Sequence, residues 1–149
     1  MVRRALATLG AVVLAAIAGA AFTPIHFESN EELFEIPNGT WALRRSGSDV
    51  EILPSRIRLL IKLRNVLVLR NLDDVPQIFG PTLIMPGQTL RLPFDEVSEN
   101  QFVCTAHANG QLTVSVEEVP ATAWERLRWR LISAQETFSR MRLKGAFHG

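Results

Sequence analysis

The sequence has few of the residues that build disulfide frameworks, metal clusters and nucleic-acid surfaces. Its 149 residues include one cysteine, three histidines and no tyrosine. A single cysteine excludes an intramolecular disulfide framework, and so few thiols and imidazoles leave no zinc-ligand cluster. Lysine and arginine number 16 against 15 acidic residues, which gives a net charge of +1. This balance argues against a general nucleic-acid binder, because such a protein needs a surface that neutralises phosphates.

Residue patterns typical of catalytic sites are also lacking. The sequence has no glycine-rich loop suited to cradling a phosphate, and no histidine at a readable spacing from a nucleophile. Two acidic pairs, Asp73-Asp74 and Asp95-Glu96, lie in predicted turns, where we expect solvated charges rather than an acid and base couple. The sequence therefore predicts a protein that is not an enzyme.

The amino-terminal segment carries a long hydrophobic run. Arg3 and Arg4 precede an uncharged stretch over residues 5–22, which as a helix spans about 27 Å, close to the hydrocarbon thickness of a bilayer. The preceding arginines place the amino terminus in the cytoplasm. We expect residues 1–23 to form a single-pass anchor in the bacterial inner membrane, with the remainder in the periplasm. A cleaved signal peptide is the alternative, because Ala18-Gly19-Ala20 fits a leader-peptidase site.

Short strands separated by turn residues follow this segment. We expect residues 24–37 to form an irregular tether and residues 38–119 to form a domain of about eight strands. The clearest strand starts at Ile57, where apolar and mostly basic residues alternate with a period of two up to Arg64. Further strands are predicted over residues 39–43, 50–53, 66–70, 82–84, 89–94, 101–104 and 111–116. The predicted fold is mainly β: a Greek-key β-sandwich with an N-terminal transmembrane helix and a C-terminal amphipathic helix.

Several ordered motifs in this domain resemble a known family. They are Leu53-Pro54-x-x-Ile57, Val66-Leu67-Val68-Leu69-Arg70-Asn71-Leu72-Asp73, Val75-Pro76-Gln77-Ile78-Phe79-Gly80, Pro86-Gly87, Phe102-Val103-Cys104-x-x-His107 and Gly110-x-Leu112-x-Val114. Together they are similar to the cupredoxins, which comprise the blue-copper proteins and the copper-binding domain of cytochrome oxidase subunit II. The resemblance implies a cupredoxin-like sandwich over roughly residues 39–118.

The same resemblance implies a copper site that has lost ligands. A type-1 copper centre takes two imidazoles, one thiolate and a weak axial ligand. Cys104 matches the thiolate position and His107 the second imidazole, whereas Gln77 stands where the family has its first histidine. The axial methionine is missing, because two residues separate His107 from Gly110. We expect no metal or other cofactor, with the Gln77 amide forming hydrogen bonds near His107. The alternative is copper held by Cys104 and His107, with Gln77 as a third candidate ligand.

Residues 120–149 predict a basic amphipathic helix. A Thr122-x-x-Glu125 capping box marks its start and Gly145 a plausible end. The residues that we expect to contact a partner or the membrane are Trp124, Leu127, Trp129, Leu131, Phe138, Arg126 and Arg130. One interpretation packs this helix on its own sandwich, and the other places it on lipid headgroups or a neighbouring subunit. Apolar residues on two sides of the helix favour the second interpretation.

The predicted function combines these features. We expect a membrane-anchored periplasmic accessory subunit of an electron-transfer complex, such as a photosynthetic reaction centre or a respiratory complex. Its partners would be the subunits of that complex and the lipid bilayer, which it enters through residues 5–22, and not nucleic acid. The alternative is a membrane-tethered copper-binding cupredoxin that transfers electrons or delivers copper.

Overall fold

The computed structural model describes the backbone of residues 2–146 and the side chains of residues 8–135 and 137. The helices are α1 (Val2–Phe22), α2 (Thr40–Arg45) and α3 (Ala123–Ala146). The strands are β1 (Glu31–Ile36), β2 (Arg56–Leu60), β3 (Val66–Asn71), β4 (Gln77–Phe79), β5 (Thr82–Ile84), β6 (Thr89–Pro93), β7 (Ser98–Val103) and β8 (Gln111–Glu117). The chain divides into a β unit that contains residues 27–119 and a helical unit that contains residues 2–26 and 120–138.

Two three-stranded sheets form the β unit. In one sheet, β3 lies between the parallel strand β1 and the antiparallel strand β6. In the other sheet, β8 lies between the parallel strand β2 and the antiparallel strand β7. The hairpin of β4 and β5 joins the end of β7 through a bridge between Phe79 and Cys104. Strands β1, β2 and β3 alternate between the two sheets, as expected in a Greek-key sandwich.

One hydrophobic core lies between the two sheets. Its buried members from β1, β3, β2 and β8 are Phe34, Ile36, Leu67, Leu69, Ile57, Leu59, Leu112, Val114 and Val116. Inward and outward positions alternate along β1, so Glu32, Phe34 and Ile36 share the buried face, whereas Leu33 is exposed. The mainly β sandwich predicted from the alternating pattern is therefore confirmed.

Two segments of the β unit differ from the prediction. β1 lies within residues 24–37, which were expected to be an irregular tether. The pattern hides this strand because Glu32 points inward, where its Oε2 accepts from Nε of Arg64 at 2.6 Å. The strand predicted over residues 39–43 is largely helix α2, and residues 50–53 form no strand. Helix α2 begins where the carboxylate of Asp73, more than 30 residues away, accepts the backbone N–H groups of Gly39 and Trp41.

The helical unit begins with α1, whose side chains are mostly exposed where they are described. Its exposed large apolar residues are Leu9, Val12, Val13, Leu14, Ile17 and Phe22. No helix within the described residues combines the length and the hydrophobicity that a membrane crossing requires. Residues 5–7 of the expected span lie outside the described side chains. The membrane crossing therefore stays a prediction.

The start of α3 confirms the predicted capping box. The N–H of Glu125 donates to Oγ1 of Thr122 at 3.2 Å, and Oε2 of Glu125 accepts the N–H of Thr122 at 3.0 Å. This reciprocal pair satisfies backbone donors that a helix leaves free at its first turn. The helix is described as far as Ala146, one residue beyond the predicted end at Gly145.

Candidate functional site

The candidate site lies at one end of the sandwich, where strand β4 meets the loop between β7 and β8. Gly80 and Thr105 donate their backbone N–H groups to the carbonyls of Val103 and Ile78, which sets β4 beside this loop. Phe79 stacks on Phe102 with ring centroids 4.8 Å apart. Gly80 permits that stacking, because a Cβ there would lie 2.8 Å from the Phe102 ring.

The turn after β3 supplies the first polar group of the site. Asn71 is fully buried, and its Nδ2 donates to the carbonyls of Val75 and Ile84, at 2.9 Å each. Its Oδ1 accepts the backbone N–H of Asp73 at 3.0 Å, which fixes an Asx turn. The turn thereby directs the Asp73 carboxylate inward.

Asp73 is the centre of a buried hydrogen-bond network. The residue is 2% exposed, so the expectation of a solvated loop charge was wrong. Its carboxylate accepts the N–H groups of Gly39 at 2.9 Å, Trp41 at 2.8 Å and Asp74 at 3.0 Å. Burial raises the pKa of this carboxyl, but the hydrogen bonds from Trp41, Gly39 and Asp74 outweigh it and leave the pKa below its usual value. Asp73 therefore ties the turn to the start of α2 in its ionised form.

Gln77 on β4 completes the same network. Its Nε2 donates to Oδ2 of Asp73 at 2.9 Å, and its Oε1 accepts the hydroxyl of Thr105 at 2.6 Å. Oγ1 of Thr105 in turn accepts the N–H of Ile78 at 2.9 Å. The amide is fully buried. The sequence suggested that it forms hydrogen bonds near His107, but its bonds run to Asp73 and Thr105.

Cys104 and His107 lie in the tight loop after β7. The N–H of Cys104 donates to the carbonyl of Gly110 at 2.9 Å, and the N–H of His107 donates to the carbonyl of Cys104 at 3.2 Å. Gly110 closes the loop with a φ of 69°, a left-handed conformation that favours glycine. Burial raises the pKa of the Cys104 thiol, although the N–H groups of Ala106 and His107 partly oppose this. The thiol form is therefore favoured over the thiolate.

His107 is buried, and its ring has an incomplete set of hydrogen bonds. Nδ1 accepts the N–H of Asn109 at 3.3 Å, which assigns the proton of the neutral ring to Nε2. Nε2 is buried and finds no hydrogen-bond partner within the described part of the chain. Burial lowers the pKa of the imidazole, an effect that Glu51 opposes and Arg44 reinforces. The ring is therefore held neutral.

Arg44 on α2 braces the loop that carries Cys104 and His107. Its Nε donates to the carbonyl of Ala106 at 3.0 Å, and its terminal nitrogens donate to the carbonyls of Ser48 at 2.7 Å and Val50 at 2.6 Å. These bonds link two loops that are distant in sequence. Neither Arg44 nor Thr105 belongs to a motif with a fixed spacing, so the sequence did not point to either residue.

The residues at this site do not fit a type-1 copper centre, which needs two imidazoles and a thiolate in one plane. The position of one imidazole is held by the Gln77 amide, whose donor and acceptor are bound to Asp73 and Thr105. Nδ1 of His107 accepts a backbone N–H. Within the described residues, no three His, Cys, Asp or Glu side chains form a group that could hold a metal ion. Of the copper ligands that the resemblance implied, Cys104 and His107 are present in this loop.

The predicted contact residues of α3 fall into three environments. Trp124 and Leu131 are 70% and 64% exposed, whereas Leu127 and Trp129 are half-buried. Arg126 and Arg130 donate to the end of α1, where Arg126 reaches the carbonyl of Phe22 at 3.1 Å. The side chain of Phe138 lies outside the described residues. Whether any of them meets a partner stays a prediction.

The similarity of this chain to known proteins is distant. No family model and no curated protein matches the chain. It is similar to a purple cupredoxin from Nitrosopumilus maritimus, with 18% identity, a TM-score of 0.42, and a match covering 57% of this chain and 98% of that one. It is also similar to amicyanin from Paracoccus versutus, with 13% identity, a TM-score of 0.43, and 64% and 92% covered. A likeness this distant says nothing about the metal or partners of this chain.

The β unit is nevertheless cupredoxin-like, as the ordered motifs predicted. It has two facing sheets, each with one parallel and one antiparallel pairing. The turn at Asn71, strand β4 and the loop of Cys104 meet at one end of the sandwich. The resemblance implied that these three segments would lie together.

Proposed function

We propose that this chain is a non-catalytic, membrane-anchored accessory subunit of an electron-transfer complex. Its β unit would lie on the periplasmic face of the bacterial inner membrane and stabilise assembly or the docking of a soluble carrier. The electron-transfer setting, such as a photosynthetic reaction centre or a respiratory complex, is an analogy from the cupredoxin-like fold.

The hydrogen bonding of Gln77 is the observation that carries this proposal. An imidazole at this position would have to present a free nitrogen to the metal. The Gln77 amide instead links a carboxylate to a hydroxyl at 2.9 and 2.6 Å. Because every buried polar group of this network has a partner, the fold is held together there without metal coordination. A domain built in this way is suited to binding and support rather than to redox chemistry.

The exposure of α1 supports the anchor. Leu9, Val12, Leu14, Ile17 and Phe22 occupy positions all around the helix, and each is at least 45% exposed. A helix that is apolar on every side is stable only when something apolar surrounds it. The charges that flank the run orient it with its amino terminus in the cytoplasm.

Copper content is the direct test of the function. We expect the purified full chain to hold far less than one copper per chain and to lack an intense thiolate-to-copper absorption. Gln77→His restores the second imidazole, so this variant should gain both signals. Gln101→His is the matched control, because Gln101 is an exposed glutamine on β7. Stoichiometric copper in the unmodified chain would overturn the proposal.

The anchor and the partners need a separate experiment. We expect the chain to stay in the membrane after extraction at alkaline pH, and its intact mass to include residues 1–23. Purification in mild detergent followed by mass spectrometry should recover it with other membrane subunits and without metal. A shorter mature chain released into the periplasm would show that the run is a signal peptide.

A copper-binding cupredoxin is the second candidate, and His107 favours it. A buried imidazole nitrogen without a partner among the described residues is costly, and copper at Nε2 would remove that cost once Nε2 gives up its proton. Cys104 lies in the same loop and supplies a thiol. The copper measurement on the unmodified chain separates this candidate from the accessory subunit.

A further inference from the structure

We propose that the first turns of α3 lie in the headgroup region of an anionic lipid bilayer, fixed there by two arginines that bind the end of α1. The contact face consists of Trp124, Arg128 and Leu131, called here the Trp124 face. The proposal rests on the proposed function in one respect, namely that α1 crosses the membrane. It adds a lipid-binding surface with a defined orientation.

The attachment of α3 to α1 is made by Arg126 and Arg130, one helical turn apart. Arg126 donates through NH1 to the carbonyl of Phe22 at 3.1 Å. Arg130 donates to the hydroxyl of Thr23 at 2.7 Å and to the carbonyls of Thr23 at 3.0 Å and Pro24 at 3.2 Å. The last carbonyls of a helix lack intrahelical donors and carry partial negative charge, so guanidinium groups stabilise them. The two helices are therefore joined at the end of α1.

This attachment sets the depth of α3. If α1 spans the hydrocarbon region, its last residues lie at the boundary between acyl chains and headgroups. Phe22, Thr23 and Pro24 are the groups that Arg126 and Arg130 hold. The amino-terminal half of α3 is consequently confined to that boundary.

The Trp124 face has the chemistry of an interfacial helix. At about 100° per residue, Trp124, Arg128 and Leu131 fall within about 60° of one another and away from the direction of Arg126. Trp124 is 70% and Leu131 64% exposed, and Arg128 is exposed as well. Tryptophan favours the headgroup level, leucine the acyl chains and arginine the lipid phosphates. Exposed apolar residues beside a guanidinium thus match an anionic lipid surface.

Fluorescence quenching by brominated lipids tests the proposal. The full chain is placed in vesicles of phosphatidylcholine with phosphatidylglycerol, and some lipids carry bromine on the upper acyl chain. W41F/W129F leaves Trp124 as the single tryptophan, and W124F/W129F leaves Trp41 of the β unit as the matched control. We expect at least about threefold stronger quenching of Trp124 than of Trp41, because interfacial tryptophans touch the upper acyl chains.

Arginine variants of the single-tryptophan chain test the mechanism. R126Q/R130Q should reduce the quenching of Trp124, because the attachment to α1 is lost. R128Q should remove the difference between vesicles with and without phosphatidylglycerol. Unchanged helicity in circular dichroism shows that α3 still forms in both variants.

The possible failures can be told apart. Equal quenching of Trp124 and Trp41 in a chain that resists alkaline extraction would overturn the lipid-contact proposal and leave the anchor intact. A chain that alkaline extraction removes from the vesicles would overturn the anchor and the contact together. Trp124 that becomes shielded only within the purified complex would assign the face to a protein neighbour instead.

Discussion

Gln77 and His107 are both buried polar side chains at the same end of the sandwich, and they differ in how their polar atoms are satisfied. The Gln77 amide donates to Asp73 and accepts from Thr105. The His107 ring accepts one backbone N–H through Nδ1, and its Nε2 is buried without a partner among the described residues. The Gln77 side of the site is thus a complete network, which should stabilise the fold, whereas the His107 side carries an unmet cost.

The largest effect is expected from Asp73→Ala. The change leaves three backbone N–H groups and the Gln77 amide without their acceptor, so the free energy of unfolding should fall by about 4 kcal/mol. Urea denaturation of the full chain in detergent measures this change. Asp95→Ala is the control at an exposed acidic residue. Equal losses for D73A and D95A would contradict the role assigned to the network.

Gln77→Leu should have the next largest effect. The Asp73 carboxylate and the Thr105 hydroxyl each lose one partner in a buried site, which costs about 2 kcal/mol. Gln101→Leu removes an exposed amide on β7 and should change the free energy of unfolding little. A Q77L chain as stable as the unmodified protein would mean that the amide network contributes nothing to stability.

Arg44→Met tests the brace on the His107 side. Methionine retains the apolar stem but cannot donate to the carbonyls of Ala106, Ser48 and Val50, so local stability should fall by about 1 kcal/mol. Opening of the loop then exposes Cys104, and its reaction with a thiol reagent should accelerate about fivefold. Arg45→Met is the control at the neighbouring, exposed arginine. No difference in thiol reactivity between the two variants would rule out the brace.

The smallest effect is expected from His107→Leu at neutral pH. Leucine fills a similar volume and removes an unsatisfied polar atom, so the free energy of unfolding should change by less than about 1 kcal/mol. H107L and Q77L both introduce leucine, so a smaller loss for H107L would show that the two sides of the site differ in how their polar atoms are satisfied. A loss as large as that of Q77L would show that His107 has a stabilising partner.

The free energy of unfolding should depend on pH differently in the unmodified chain and in H107L. Because burial lowers the pKa of His107, the unfolded ring binds a proton first as the pH falls. The contribution of His107 is complete above the unfolded value of about 6.5 and is lost as the pH falls toward the lower folded value. H107L should lack this decline in urea titrations from pH 7 to 5, whereas His26→Leu should retain it. A decline of equal size in H107L would assign it to other groups.

The sequence predicted the starts of several strands, but it did not predict elements that depend on distant residues. The strands β3, β5 and β8 begin where they were predicted to begin, because turn residues and apolar alternation bound them. The first strand was missed because its inward Glu32 depends on Arg64, which lies on a different part of the chain. The motifs also brought Gln77, Cys104 and His107 to one end of the sandwich, as the resemblance implied.

The sequence by itself determined the local features whose partners are only a few residues away. The cap formed by Thr122 and Glu125 is of this kind, and so is the turn that Asn71 makes with Asp73. Only the tertiary structure decided that Asp73 is buried and that the Gln77 amide binds Asp73 and Thr105, because Gly39, Trp41 and Thr105 lie about 30 residues away from the groups they bind. A buried polar group takes its protonation state and its role from such distant partners, and no local pattern records them.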